Sequence, residues 1–205
     1  MKIDSTLVKS RLTLSKLLIG ILLIQCDCSA DFDKLDNEKA QVTDEMIQRA
    51  EYSPTLQAKL RKIKLGKTLN LTEKEQLSDD LVQTVGYLYK DIVQVLLQQG
   101  ADPSATNKDG KTALYQLAEL AHGQNSKDEV LALGKLLLKN GASTAVKSSG
   151  GKTPLHIAAL YGYSYMVEFL LDNRADTSAR DNQGKTPLDL AQDRAVKNLL
   201  QLSNP

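Results

Sequence analysis

Gly-Lys-Thr occurs three times in this chain, at Gly110-Lys111-Thr112, Gly151-Lys152-Thr153 and Gly184-Lys185-Thr186. It is the tripeptide that closes a phosphate-binding loop, so nucleotide chemistry is the first reading to test. Such a loop needs a further glycine five positions before its Gly-Lys, so that backbone N–H groups can converge on phosphate; Ala105, Val146 and Ala179 stand there instead. The nucleotide reading fails on spacing. Only two histidines are present, His122 and His156, and no Ser-His-Asp or clustered carboxylate pattern accompanies them. The two cysteines, Cys26 and Cys28, both lie near the N-terminus, so the later chain has no disulfide, cysteine-ligated metal or thiol nucleophile. The residues point to no catalytic group, no cofactor and no metal.

The three tripeptides belong to something larger. Each threonine lies twelve residues after the Gly or Arg of a second recurring element: Leu96-Leu97 with Gly100-Ala101-Asp102, Leu137-Leu138 with Gly141-Ala142-Ser143, and Leu170-Leu171 with Arg174-Ala175-Asp176. A fixed distance between two different recurring elements means stacked units rather than one globular core. Thr112, Thr153 and Thr186 are suited to accept from the free amides of a helix start. Pro154 and Pro187 follow at the first helical position, where a missing N–H costs nothing. Asp189 completes a capping box with Thr186. Leu155, Ala158 and Ala159 give a first helix a small face for close packing, and Val167, Leu170 and Leu171 give a second helix its apolar stripe. Gly100 and Gly141 end that second helix in the left-handed conformation; Arg174, at the equivalent place, predicts local strain.

Thr153-Pro154-Leu155-His156-Ile157-Ala158, with the paired helices and turn around it, resembles the ankyrin repeat, a unit of about 33 residues. Thr153 to Thr186 is 33 residues and Thr112 to Thr153 is 41, the extra eight falling between two helices of one unit. The resemblance covers residues 75–205 and implies an all-α repeat solenoid of about three and a half to four units: 75–106 degenerate, 107–147 with the insertion, 148–180 and 181–205. Residues 87–102 align without a gap to 161–176, while 79–86 keep only Leu81 of the first-helix signature, as an end unit does. Ser126 to Glu129 reads as a capping box for a long second helix, with 122–125 as the preceding loop. The insertion reads either as a partner-specific protrusion or as a tolerated surface expansion.

Residues 42–74 predict a helical cap over the first unit. Met46, Ile47 and Ala50 suggest one short helix; Ser53-Pro54 starts another, with Leu56, Leu60 and Ile63 on one face and Gly66 at its end. Asn70-Leu71-Thr72 is a glycosylation sequon, but Thr72 with Glu75 also spells a capping box, which we favour. Before the cap, residues 31–41 form a polar linker. Residues 1–30 read as an export signal: Lys2, Lys9, Arg11 and Lys16, then an apolar run of eight from Leu17 to Ile24, too short to span a bilayer. Two processings compete, cleavage after Ala30 or lipidation of Cys26 after residues 1–25, with Gln25 departing from the small residue usual before a lipidated cysteine. An amphipathic or buried N-terminal helix is the third reading.

Removing residues 1–30 takes away four of the 26 basic and two of the 25 acidic side chains, leaving a net charge of −1. With no basic block, nucleic-acid binding is not indicated.

What remains is a binding surface. The resemblance implies that a protein partner meets the turn tips and the exposed first-helix positions on the concave side. Mapped through the matching motifs, the tips are Lys108, Asp109, Lys111, then Ser149, Gly150, Lys152, then Asn182, Gln183, Lys185. The helix positions are Glu119 and Leu120, Leu160 and Tyr161, and Asp193 and Arg194. Leu160 and Tyr161 form an apolar-aromatic pair among polar tips, the composition of a binding hot spot. His156 is implied to bond structurally at its helix start. The sequence thus predicts an exported, non-enzymatic protein-interaction scaffold, with a membrane tether if Cys26 is lipidated. An envelope component that shields a client or self-assembles through its degenerate first unit is the alternative.

Overall fold

The computed structural model describes residues 41–122 and 125–203, all within one compact unit, Lys39–Pro205. The leader, the linker up to residue 40 and Cys26 lie outside the described residues. Among those described there is no strand.

The cap begins with α1, Asp44–Arg49, whose N-cap Thr43 accepts from the Met46 amide. A short 3-10 turn, Ala50–Tyr52, leads to α2, Pro54–Lys64, started by Ser53 with proline in the first turn. Met46, Ile47, Ala50, Leu56 and Leu60 are buried. The next helix, α3 (Leu71–Glu75), corrects the sequence reading. Its N-cap is Asn70, not Thr72: Asn70 Oδ1 accepts from Glu73 N–H at 2.8 Å, and the Glu73 carboxylate returns to Asn70 N–H at 3.0 Å. A second attachment decides between the two overlapping boxes, because Glu73 also pairs with Lys62 of α2 at 2.5 Å.

Four helix pairs follow. The first helices are α4 (Leu77–Val85), α6 (Ala113–Glu119), α8 (Pro154–Tyr161) and α10 (Pro187–Leu190). Their partners are α5 (Lys90–Gln98), α7 (Lys127–Lys139), α9 (Ser164–Asp172) and α11 (Arg194–Leu202). Helix α6 packs between α4 and α8, and α8 between α6 and α10, forming an inner row; α9 packs against α7 and α11 in an outer row. This layering buries one continuous core running from Val42 to Leu200, so each thin pair is covered by its neighbours.

Local chemistry explains the boundaries. Thr112 accepts from the Tyr115 amide at 3.1 Å, Thr186 forms a box with Asp189, and Thr153 forms one with His156. Ser126 departs from expectation: α7 starts at Lys127, but Ser126 makes no side-chain cap bond. Its start is instead fixed by burial of Val130 and Leu133. Where α7 meets α9, a side chain at Gly134 would lie 2.8 Å from the Phe169 ring, so only glycine allows that approach. Arg174 does adopt φ +60°, the left-handed turn that glycine fills at the same place in the two preceding units.

The degenerate first unit holds more than its sequence signature suggests. Leu77, Leu81, Val82 and Val85 are buried, and the cap is bolted to this helix by two polar contacts. Lys59 and Asp80, both buried, pair at 2.5 Å, and Tyr52 bonds Thr84 at 2.8 Å.

Candidate functional site: the tip and inner-helix face

Each hairpin tip is closed the same way. The backbone N–H of Asn107, Ser148 and Asp181 donates to the carbonyl of Lys111, Lys152 and Lys185, each at 2.9 Å. Asn107 Oδ1 then accepts from Asp109 and Lys111 N–H, and Asp181 Oδ1 from Gln183 and Lys185 N–H, bracing the turn from inside. Desolvation raises the Asp181 pKa, but these amides more than offset it and hold the carboxyl below its usual range. These anchors were not among the residues singled out from sequence. Their signal was a small polar residue three before each Gly-Lys-Thr glycine.

Adjacent tips are bonded to one another. Ser149 Oγ donates to the Asp109 carbonyl at 2.8 Å, and Asn182 Nδ2 to the Ser149 carbonyl at 3.0 Å. The approach is close enough that a Cβ on Gly151 would lie 2.2 Å from Asn182 Oδ1. Two sequence-named contact residues, Ser149 and Asn182, therefore also build the ladder of tips. Lys108, Asp109, Gln183 and Lys185 are exposed along its edge.

Lys111 ties tip to helix. Its Nζ lies 2.8 and 2.9 Å from the Glu119 carboxylate oxygens and 5.6 Å from the centre of the Tyr115 ring. Partial burial pulls the Lys111 pKa down, yet the bond and charge of Glu119 leave it above its ordinary value. Tips and inner-helix ends thus share one face. On it Leu120 and Leu160 are half-buried, Lys152 is half-buried, and Tyr161 is 54 % exposed and stacked on Tyr163 with ring centres 5.7 Å apart. Asp193 is spent as the N-cap of α11, accepting from Ala195 and Val196 N–H.

His156 is fully buried. Its Nδ1 accepts from Thr153 N–H at 3.1 Å, leaving Nε2–H to donate to the Lys185 carbonyl at 3.1 Å in the next unit. Burial lowers its pKa, so the ring is neutral, and neither nitrogen is free for a metal or a proton transfer. Among the described residues no cluster of His, Cys, Asp or Glu could hold a metal ion.

An aromatic patch at the first unit was missed as a site. Tyr52 stacks on Tyr87 at 4.1 Å, Tyr87 on Tyr89 at 5.8 Å, and Arg49 lies over the Tyr89 ring at 5.2 Å while pairing with Asp91. Burial pushes the Tyr52 phenol up to about 12. Tyr87, 51 % exposed, aligns with Tyr161, so the same surface position carries an exposed tyrosine in two units. The alignment held this signal, but without coordinates Tyr87 was only a marker of repeat register. A hollow of about 460 Å³ beside it is lined by Tyr52, Gln83, Tyr87, Asn107 and Gln116.

Stacked helix pairs joined by bonded hairpin tips define a repeat-solenoid protein. The chain matches the family model for ankyrin repeats (3 copies) over residues 81–181 and 126–204, and it belongs to that family. Similar proteins include an ankyrin repeat protein of Rickettsia felis, 38 % identical over 74 residues, covering 36 % of this chain and 31 % of the relative. Another is an ankyrin repeat protein of fowlpox virus, 30 % identical over 128 residues, covering 50 % of this chain and 17 % of the relative. The matches therefore span less than a third of either relative. Among solved structures, the ankyrin repeat domain of Bcl-3, a member of the IkappaB protein family, is similar with a TM-score of 0.53 and 30 % identity, covering 59 % of this chain and 50 % of that one. Ankyrin repeat domains are generally protein-interaction scaffolds, and this chain shares that fold.

Proposed function

We propose that this protein is an exported, non-enzymatic scaffold that binds a protein partner on the face formed by its hairpin tips and inner-helix ends. The observation that carries the reading is Tyr161: a large aromatic ring held half out of the surface by its stack on Tyr163, beside half-buried Leu160 and a polar rim of tips. Rigid aromatics over a packed base are the usual anchors of protein interfaces. The test is affinity capture from the producing organism with the native protein and the Tyr161→Ala and Lys152→Glu variants. A partner held by the first and lost by the variants supports the face; a partner held equally by all three overturns it.

Export rests on the leader sequence, and a tether would come from a lipid on Cys26. Among the described residues no helix is long and apolar enough to cross a membrane. Intact mass of the native protein separates the processings: loss of residues 1–30, or loss of 1–25 with acyl chains on Cys26, against an unprocessed chain. The second reading, a structural or protective component that self-associates through its first unit, draws support from the partly exposed Tyr52, Tyr87 and Tyr89 patch. Sedimentation at micromolar concentration tests it; a monomer unaffected by Tyr87→Ala removes that support.

A further inference from the structure

The repeats report on one another, because each position of one unit has a counterpart in the next. In the unit of α6, the lysine preceding the capping threonine, Lys111, is neutralised by Glu119, seven residues after that threonine. In the unit of α8 the same lysine is Lys152, and the residue seven after Thr153 is Leu160. The counter-ion has been replaced by a hydrocarbon while the lysine has stayed. Among the described residues Lys152 makes no ion pair. The carboxylate it favours electrostatically, Asp181, is buried and turned into its own hairpin, and the second oxygen of that carboxylate bonds to nothing, Lys152 included. In the unit of α10 the counterpart of Glu119 is Asp193, which caps α11. The middle of the face therefore carries a half-buried lysine without a counter-ion, and a leucine at the carboxylate's position, where its neighbour presents a closed ion pair.

We propose that the partner supplies the missing carboxylate: this face takes a protein segment in which Asp or Glu adjoins an apolar residue. The carboxylate would sit on Lys152 Nζ, in the role Glu119 plays for Lys111, and the apolar side chain on Leu160 and Tyr161. The proposal rests on the tip and inner-helix face being the binding face. Charge complementarity at such a site selects partners, because a segment that covers Lys152 without supplying a carboxylate strips its ammonium of water with no compensation.

The test is selection of a random heptapeptide display library on the full chain, in parallel with Lys152→Glu, Leu160→Glu and Tyr161→Ala. Peptides enriched on the native protein should carry Asp or Glu next to Leu, Ile or Phe. A synthetic copy of the best one should bind about tenfold more weakly to Lys152→Glu and to Leu160→Glu, the second because it rebuilds the internal ion pair. Should Leu160→Glu fail to fold by circular dichroism, Lys152→Met takes its place with the same expected loss. Enriched peptides that need Tyr161 but show no acidic preference, or that bind Lys152→Glu unchanged, overturn the carboxylate assignment while leaving the face in place. No enrichment, or binding indifferent to all variants, overturns both.

Discussion

His156 Nε2 lies 3.1 Å from the carbonyl oxygen of Lys185, 29 residues later, while Nδ1 of the same ring caps the helix start at Thr153. One buried imidazole thus accepts the Thr153 amide at its own helix start and bonds the next hairpin to it. The geometry requires a neutral ring: protonating Nδ1 would turn an acceptor toward the Thr153 amide into a donor.

Stability should therefore fall in mild acid. Burial lowers the native His156 pKa below its unfolded value of about 6.5, so the unfolded chain binds the proton more readily. The contribution of the neutral ring is complete above about pH 6.5 and is lost as pH drops below it. Asp80, raised by burial against the pull of Lys59, acts in the opposite sense, so the readout is a comparison. Urea melts at pH 7.5 and 5.5 should differ more for the native protein than for His156→Gln.

Arg174→Gly should raise stability by about 1 kcal/mol, less the extra freedom glycine gives the unfolded chain, by relieving a φ of +60°. Thermal melting measures it. A drop in melting temperature would show that contacts of the arginine outweigh its strain.

Gly151→Ala and Gly184→Ala should separate backbone strain from packing. Both glycines are left-handed, at φ +74° and +76°, but a Cβ at 184 meets nothing within 4 Å, whereas one at 151 meets Asn182 at 2.2 Å. The substitution at 184 should cost about 1 kcal/mol and that at 151 at least about 2 kcal/mol. Equal costs in chemical unfolding would mean that the tips do not bear on each other.

Asp80→Ala should be strongly destabilising, by about 3 kcal/mol, because it leaves the ammonium of Lys59 buried without a counter-charge. The double variant Lys59→Met with Asp80→Leu should recover most of that loss, since an apolar pair of similar size suits the site. Guanidinium unfolding of the single and double variants decides it.

Much of the architecture was legible because it is local. Thr153, Pro154 and Gly141 do their work within a few residues of their own positions, and repetition multiplied each signal. The sequence-named contact residues were legible as positions on a face, but not in their roles. Lys111 and Lys152 read alike until Glu119 was found paired with one and, among the described residues, no counter-ion with the other. Thr72 was read as the cap and Asn70 only as part of a sequon, whereas Asn70 caps the helix and its box partner Glu73 is also held by Lys62. Tyr87 was a register mark in the alignment and became a surface only when Tyr52, from the cap, was found stacked against it.

By itself the sequence determined the helix starts at Thr112, Thr153 and Thr186, the left-handed turns at Gly100 and Gly141 and the stacked-pair fold, since capping, φ preference and periodicity act over one or two turns of chain. The tertiary structure decided which charges are paired, which tip bonds to which, and that the cap is joined to the first unit by a buried ion pair. Those outcomes depend on side chains brought together from 8 to 42 residues apart, and no spacing rule reports whether a partner will be there to meet them.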